Sequence, residues 1–480
     1  MHKASQASLE LGSPSTLTPY TLTPLHPYTI TPYTITPYTP SMTILMISHY
    51  AGAPKYGMEF RSYYMAREWV RMGHHVTIVG AAFSHLREHQ PTTPRETLDG
   101  INYIWLPTTQ YEGNGSKRVL SMFQFVAQTY KHRKELIALK PNIVIASSVY
   151  TFDIYPCRHI ARHTGAKLVY EIHDLWPLSV QTIGGYSRWH PFIMLLQHCE
   201  NYAYRHCDMV VSMLDKAFPH TQRHGLTKER FCCIPNGYLK EEWENADNQV
   251  LPDEHISLFR RLHDEGKIIV GFAGGHTQST AMHVLIEAAD LLKERSDIAF
   301  VMVGKGPQKE ELIEQARKLG LSNFYFLPPI SKNSIPKLLT LFDICYAGGI
   351  HSPLHQYGTS FNKVTDYMLA ARPIIFSVDE PGSLVERVGC GIQVEAENAA
   401  LVSNAVATIA DMTPEERTAM GAIGRAYATQ NLEYHTLSEK MILYVNGERI
   451  TENGQRRTER IRTRPSGSER ILYGERRTEN

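Results

Sequence analysis

The stretch from Met42 to Gly80, MTILMISHYAGAPKYGMEFRSYYMAREWVRMGHHVTIVG, decides the fold. It opens on a short apolar run, TILMIS, breaks at a loop carrying Gly52 and Gly57, takes up amphipathic helical spacing, and ends in a second β-branched run, HVTIVG. Neither run alternates apolar with polar residues, so each reads as a strand covered on both faces. Strand–helix–strand order then implies that the two strands lie parallel.

Working outward, the same unit repeats. INYIWLP, NIVIASS, KLVYEIH, MVVSM and FCCIPN continue the first series, and KIIVGFAG, AFVMVG, NFYFLPP, ICYAG, PIIFS and GIQVE form a second. The expected fold is α/β, with two tandem doubly wound, Rossmann-like domains facing a cleft. The boundaries are a first domain at 42–238, a polar linker at 239–266, a second domain at 267–430 and a C-terminal helix at 431–446 able to cross back to the first domain. Within that final part, helices are expected at Ala399–Ile409, Pro414–Gln430 and Thr436–Tyr444.

Both ends differ in kind. From Leu11 to Ser41 there is no Asp, Glu, Lys or Arg, and TITPY recurs at Thr29 and Thr34 after TLTPY at Thr16. Proline at this frequency forbids helix, and such a composition cannot bury enough to order itself, so residues 1–41 are expected to be disordered. An extended binding arm is the alternative reading, and Met42 directly before a strand also fits an overextended start. At the other end GERITEN at Gly447 returns as GERRTEN at Gly474, and residues 447–480 read as a solvated Arg- and Glu-rich tail.

Bulk composition narrows the function classes. With 480 residues, 42% hydrophobic and 10% aromatic, the chain is long enough for two cores. Its 49 Lys+Arg against 48 Asp+Glu leave no global field for nucleic acid or an acidic polymer. No run approaches the roughly 18 apolar residues needed to span a bilayer, and no signal peptide is evident, so a cytoplasmic location is expected. The seven cysteines are odd in number and lack a C-x-x-C pair, which fits reduced thiols.

In open parallel sheets, ligands bind beyond the carboxyl ends of the strands. The first exit carries Gly57, Glu59 and Arg61 at the start of a helix, whose free N–H groups suit an anion; a tight turn at Gly57 is the alternative. Neither G-x-G-x-x-G nor a P-loop is present. KLVYEIHDLWP places His173 and Asp174 at a strand end beside Trp176, where a sugar could be oriented and developing positive charge stabilised; a helix cap by Asp174 is the plainer reading. In the second domain, Gly274 and Gly275 with His276 precede a helix and again suit an anion. Lys363 and Asp366, three apart ahead of the PIIFS strand, are either a surface ion pair or two groups reaching for one ligand.

Taken together, YGMEFRSYYMAREWVRMGHHVTIV, EIHDLWP, IPNG at Ile234, VGKGP at Val303, SPLHQYGTSFNKVTDYM and ARPII resemble the retaining, GT-B type glycosyltransferases of family 4, especially bacterial members that build cell-surface polysaccharides. The resemblance spans about Met42 to Tyr444. It implies GT-B architecture, with an acceptor-side first domain and a nucleotide-sugar-binding second domain. On the donor side, Asp366 would take the ribose hydroxyls, and Lys363 with Asn362, His276, Gly274 and Gly275 would meet the diphosphate. His173 and Asp174 would line the reacting sugar, and Gly57, Glu59 and Arg61 would lie towards the acceptor. The expected substrates are a nucleotide diphosphate sugar, UDP-linked by preference, and a glycan or lipid-linked acceptor, with no cofactor, no metal and no nucleic acid. The absence of D-x-D agrees with metal independence.

The chain departs from the family pattern at named positions. Of E-x7-E only the second half remains, as Asp366, because Gly358 stands eight residues before it. Phe361-Asn362-Lys363 replaces the more usual Pro-Asn-Lys, Gly304-Lys305-Gly306-Pro307 replaces Gly-Asp-Gly-Pro, and the loop after Gly274 lacks the Arg and Lys found in many members. Two alternatives follow: a nucleotide-sugar epimerase of the same architecture, which needs paired acid and base residues not evident here, or a non-catalytic scaffold. His198-Cys199 and His206-Cys207 resemble metal ligands, but eight helical residues separate equivalent atoms by about 12 Å, too far for one zinc with bonds near ~2 Å. The helix from Ser116, with Lys117, Arg118, Lys131, Arg133 and Lys134, reads as a solvated face or as a peripheral contact with an anionic membrane.

Overall fold

In strand β1 (Thr43–Ile47), Leu45 and Ile47 enter one buried layer while Ile44 and Met46 enter another, which is why the run contains no polar position. The computed structural model describes residues 40–57, 60–113, 115–450 and 456–458. Most of the segment expected to be disordered at 1–41, and Glu59, lie outside them.

The first sheet continues with β2 (His75–Ala81), β3 (Arg95–Leu98), β4 (Ile101–Leu106), β5 (Ile143–Ala146), β6 (Lys167–Ile172), β7 (Met209–Ser212) and β8 (Phe231–Cys233). Its order is β3-β4-β2-β1-β5-β6-β7-β8, and only the β3–β4 pairing is antiparallel. The second sheet holds β9 (Ile268–Ala273), β10 (Ile298–Val303), β11 (Phe324–Leu327), β12 (Ile344–Gly348), β13 (Ile374–Ser377) and β14 (Gly391–Val394), in the order β11-β10-β9-β12-β13-β14, all parallel. Helices cover both faces of each sheet. Phe125, Ile160 and Leu196 close one side of the first, Trp69 and Leu437 the other. Phe259 and Tyr367 close one side of the second, Leu285 and Val406 the other. These are the two doubly wound, Rossmann-like domains that the sequence pattern predicts.

Strand order reverses between β1 and β5 in the first sheet and between β9 and β12 in the second. The loops leaving those strands turn opposite ways and open a crevice at each carboxyl edge. Ser48, His49 and Ser147 stand at the first, and Gly274 and His276 at the second.

Three features differ from the sequence reading. The edge strand β3 was not expected; its polar RETL carries no apolar run, yet Asp99 and Gly100, both at positive φ (49° and 80°), make the tight hairpin that pairs it with β4. The span read as a linker, 239–266, instead holds the Asp253–Asp264 helix, and its Phe259 and Leu262 belong to the second core. Charged residues on the opposite face of that helix disguised it. In the Arg/Glu-rich tail, Glu448–Ile450 and Arg456–Thr458 pair as two short antiparallel strands, β15 and β16, because their backbones satisfy each other's hydrogen bonds; the rest of the tail lies outside the described residues.

The Tyr434–Val445 helix packs in the first domain's core although the chain reaches it from the second. Trp69 Nε1 donates to the Ser438 carbonyl at 3.1 Å, and Tyr64 and Tyr434 pack at 5.1 Å. Among the described residues, no helix is long and apolar enough to cross a membrane. Trp69 is fully buried, so Trp69→Ala is expected to lower stability by about 3 to 5 kcal/mol, read as a shift in the urea midpoint.

Candidate active site

Register places the first group of polar residues. Ala146 pairs with Tyr170 across β5 and β6, so Ser147 and Glu171 follow side by side. Glu171 points to the face covered by the Phe60–Arg71 helix, and there Arg61 meets it at 2.9 Å. Arg61 also donates to the carbonyls of Ile234 (2.9 Å) and Pro235 (2.7 Å), so one guanidinium ties the helix after β1 to β6 and to the exit of β8. Burial works to raise the Glu171 pKa, but Arg61, His173 and Ser147 together hold the carboxyl far below its usual range.

His173 is fixed by this cluster. Its Nε2 lies 2.9 Å from Ser147 Oγ and 3.3 Å from Glu171 Oε2, while Ser147 Oγ donates to that same carboxylate oxygen at 2.7 Å. His173 remains partly open, at 18% side-chain exposure, and so can meet a ligand. Asp174, half-buried, accepts from the Leu175 N–H at 2.8 Å, but it caps no helix: the Leu178–Gly184 helix starts after Pro177 without a side-chain cap. Arg61 departs from the expectation: it is buried and fully engaged, and so holds the site together rather than touching an acceptor. Gly57 closes the short turn Pro54–Tyr56 in the left-handed conformation (φ 86°), packed against Glu88, and is a structural turn.

The second domain presents Lys363 and Asp366 on the Asn362–Leu369 helix. Among the described residues they make no ion pair with each other: the charges facing Asp366 are Lys332 and Glu242, and Lys363 is set by burial alone. Lys363 Nζ stands 4.5 Å over the Phe272 ring, and a side chain built at Gly274 would come within 3.8 Å of it. Burial draws the Lys363 pKa down to about 8 and pushes Asp366 up to about 7. Among the described residues these two half-buried charges do not pair with each other, and Lys363 stands at the Gly274 exit. Asn362 and Gly275 are exposed at the same edge.

His276 differs from its expected role as a charge for the diphosphate. It is fully buried, its backbone tied to the Gly304–Gly306 turn through His276 N–H to Lys305 O at 3.0 Å. Burial, with Lys309 and Lys363 nearby, pulls its pKa down to about 4, so the ring is neutral at physiological pH. Neither ring nitrogen has a hydrogen-bond partner among the described residues.

The seam between the domains explains the missing glutamate of E-x7-E. Gly358 (φ 93°) lies so close to the first domain that an added Cβ would stand 2.1 Å from Asp215 Oδ1. Asp215 in turn pairs with Arg387 at 2.7 Å, and Lys216 bridges to buried Glu380 at 3.2 Å, which also accepts from Thr359 at 2.6 Å. A further carboxylate here would face two already present. Asn236, of IPNG, completes the seam by donating its N–H to Ser360 Oγ at 3.0 Å. Sequence reasoning missed Ser147, Glu171, Asp215, Lys216 and Glu380. Only Glu171 left a signal, as a carboxylate inside the apolar run KLVYEIH.

The family model described as Glycosyltransferase Family 4 matches residues 56–239, and one described as Glycosyl transferases group 1 matches residues 267–411. The chain is 25% identical over 351 residues, 69% of its length and 79% of the relative's, to a putative colanic acid biosynthesis glycosyl transferase, WcaI, of Escherichia coli K12. It is 26% identical over 158 residues, 32% of its length and 38% of the relative's, to a 2-deoxystreptamine glucosyltransferase of Streptomyces kanamyceticus. Among solved structures, Anabaena Alr3699/HepE in complex with UDP-glucose aligns with a TM-score of 0.58 at 16% identity, over 84% of this chain and 99% of that one. WaaG, a glycosyltransferase involved in lipopolysaccharide biosynthesis, aligns with a TM-score of 0.58 at 15% identity, over 84% and 100%.

Glu171→Gln leaves Arg61 buried without its counter-charge and is expected to cost about 3 to 5 kcal/mol in denaturant unfolding. Gly358→Glu, which restores the sequence pattern, is expected to lower the thermal midpoint and activity together, because its side chain meets Asp215; a gain in activity would refute this account of the glycine.

Proposed function

The chain belongs to the family 4 glycosyltransferases, and from that premise we propose that it moves a sugar from a UDP-sugar to a glycan or lipid-linked acceptor in the synthesis of a cell-surface polysaccharide, with retained anomeric configuration and no metal ion at the reacting centre. The observation that carries the donor side is the arrangement of Lys363, beside the Gly274 exit, and Asp366, one helical turn on and unpaired with it among the described residues.

As the glycosidic bond breaks, the diphosphate gathers negative charge. A half-buried ammonium offsets that charge more strongly than one in bulk water, because little solvent screens it. Lys363 supplies it, with Gly274 and Gly275 admitting close backbone approach and Asn362 at the rim. Neutral His276 contributes at most a hydrogen bond. Asp366 accepts the two ribose hydroxyls, which satisfy a carboxylate that has no hydrogen-bond donor among the described residues. His173, its ring set by Ser147 and Glu171, faces the sugar with Asp174, and Arg61 serves as a positioning residue. Glu59, outside the described residues, stays assigned to the acceptor side. The basic helix Ser116–Lys131, with Leu120 and Phe123 exposed, supports a peripheral contact with an anionic membrane at the cytoplasmic face.

Ligand-induced thermal shift tests the reading: UDP and UDP-sugars, without added metal, are expected to raise the midpoint selectively over GDP and ADP conjugates, and Asp366→Ala to abolish the shift. No shift with any nucleotide would overturn it. The pH dependence carries a definite sign. Asp366 must be ionised and Lys363 protonated, so donor affinity is expected to fall as pH drops through about 7 and as it rises through about 8. Calorimetric titration across pH checks this, with Asp366→Asn expected to flatten the acid limb and Lys363→Arg the alkaline one.

A further inference from the structure

A carboxylate removed from water needs an opposing charge or several hydrogen bonds. Glu200, on the Pro191–His206 helix, is 1% exposed. Among the described residues its ion-pair partner is His220, whose Nε2 lies 2.9 Å from Glu200 Oε1. His220 belongs to the helix Phe218–Arg223, and His224 follows one turn later with its ring 4.7 Å from that of His220. One ligand atom from each of Glu200, His220 and His224 falls within 4.8 Å of the others.

The geometry points to a binding site for one divalent transition-metal ion, zinc by the chemistry of its ligands, joining these two helices. Two imidazoles and a carboxylate are a ligand set that zinc takes with a fourth position left to water. Tetrahedral bonds near ~2.1 Å place ligand atoms about 3.4 Å apart, so the Glu200–His220 pair opens slightly while the wider separations contract.

The surroundings have the organisation of an outer shell. Tyr204 OH and Gln197 Nε2 donate to the two Glu200 oxygens at 2.8 and 2.7 Å. His224 Nδ1 lies 2.8 Å from Asn201 Oδ1, an acceptor for its N–H that leaves Nε2 as the ligand atom. A cavity lined by Asn201, Arg205, Arg223, His224 and Gly225 opens to solvent on the His224 side of the cluster. Arg205 and Arg223 at its rim are exposed, so solvent screens their repulsion.

The site is separate from the donor residues and bears on the domain seam. The His220 ring packs 5.6 Å from that of Tyr357, whose carbonyl accepts from the Lys216 N–H at 3.1 Å immediately before Gly358. A bound cation would therefore stiffen the first-domain helix against which the donor loop rests. Its role is structural, and sugar transfer does not pass through it.

The test uses the full chain after chelator treatment, titrated with zinc by calorimetry. One saturable equivalent is expected, with a rise in thermal midpoint, and His220→Ala and His224→Ala are expected to remove both. Cobalt(II) in place of zinc should give the visible absorption of a four-coordinate centre. The pair of half-buried His159 and exposed His163, with rings 4.2 Å apart, is the competing surface site. Binding that survives His220→Ala/His224→Ala but disappears in His159→Ala/His163→Ala would overturn the assignment, as would the absence of any saturable equivalent. If the His220 variants fail to fold by circular dichroism, the half-buried His224→Ala alone decides between these outcomes.

Discussion

The Arg61–Glu171 pair is the constraint from which the first domain's half of the site follows. Both groups are buried, and each would be strongly destabilising without the other. Because Arg61 also reaches the carbonyls at the exit of β8, the pair fixes three chain segments relative to one another. Glu171 then has one oxygen left for Ser147 and His173, and the imidazole at the strand end inherits the rigidity of the core. A buried charge pair here confers geometry more than stability.

The second domain solves the opposite problem. Lys363 and Asp366 could neutralise each other at the usual i, i+3 spacing, but the fold keeps them apart and accepts the burial of both. Their shifted protonation equilibria record that cost: an ammonium made easier to deprotonate and a carboxylate made harder to ionise. Such strain is found where a ligand later supplies the missing partners. Neutral His276 beside them keeps the anion-facing charge on Lys363.

Between the two halves, charged contacts crowd the seam. Asp215–Arg387 and Lys216–Glu380 each join a residue of the first domain to one of the second, and Gly358 stands where no side chain fits between them. The Tyr434–Val445 helix adds an apolar strap from behind. Orientation of the domains is thus set by a few cross-domain ion pairs and one helix, and both sit next to the segment Thr359–Asp366 or to the helix that bears Arg61.

The two doubly wound sheets were legible in the amino-acid pattern, because strands buried on both faces must be apolar at every position, and the strand exits could be located from it. It also identified the family through local strings such as EIHDLWP and TSFNKVTDYM. It hid the Asp253–Asp264 helix, since four apolar positions among charges look like a linker, and it hid β3, whose edge position tolerates polar residues. Folding in three dimensions made Arg61 a buried strut, left His276 neutral and enclosed, kept Lys363 and Asp366 from pairing among the described residues, and required a glycine at 358 beside Asp215. These are matters of which groups meet after more than a hundred residues of intervening chain, and of how much water remains around them. Local spacing carries neither.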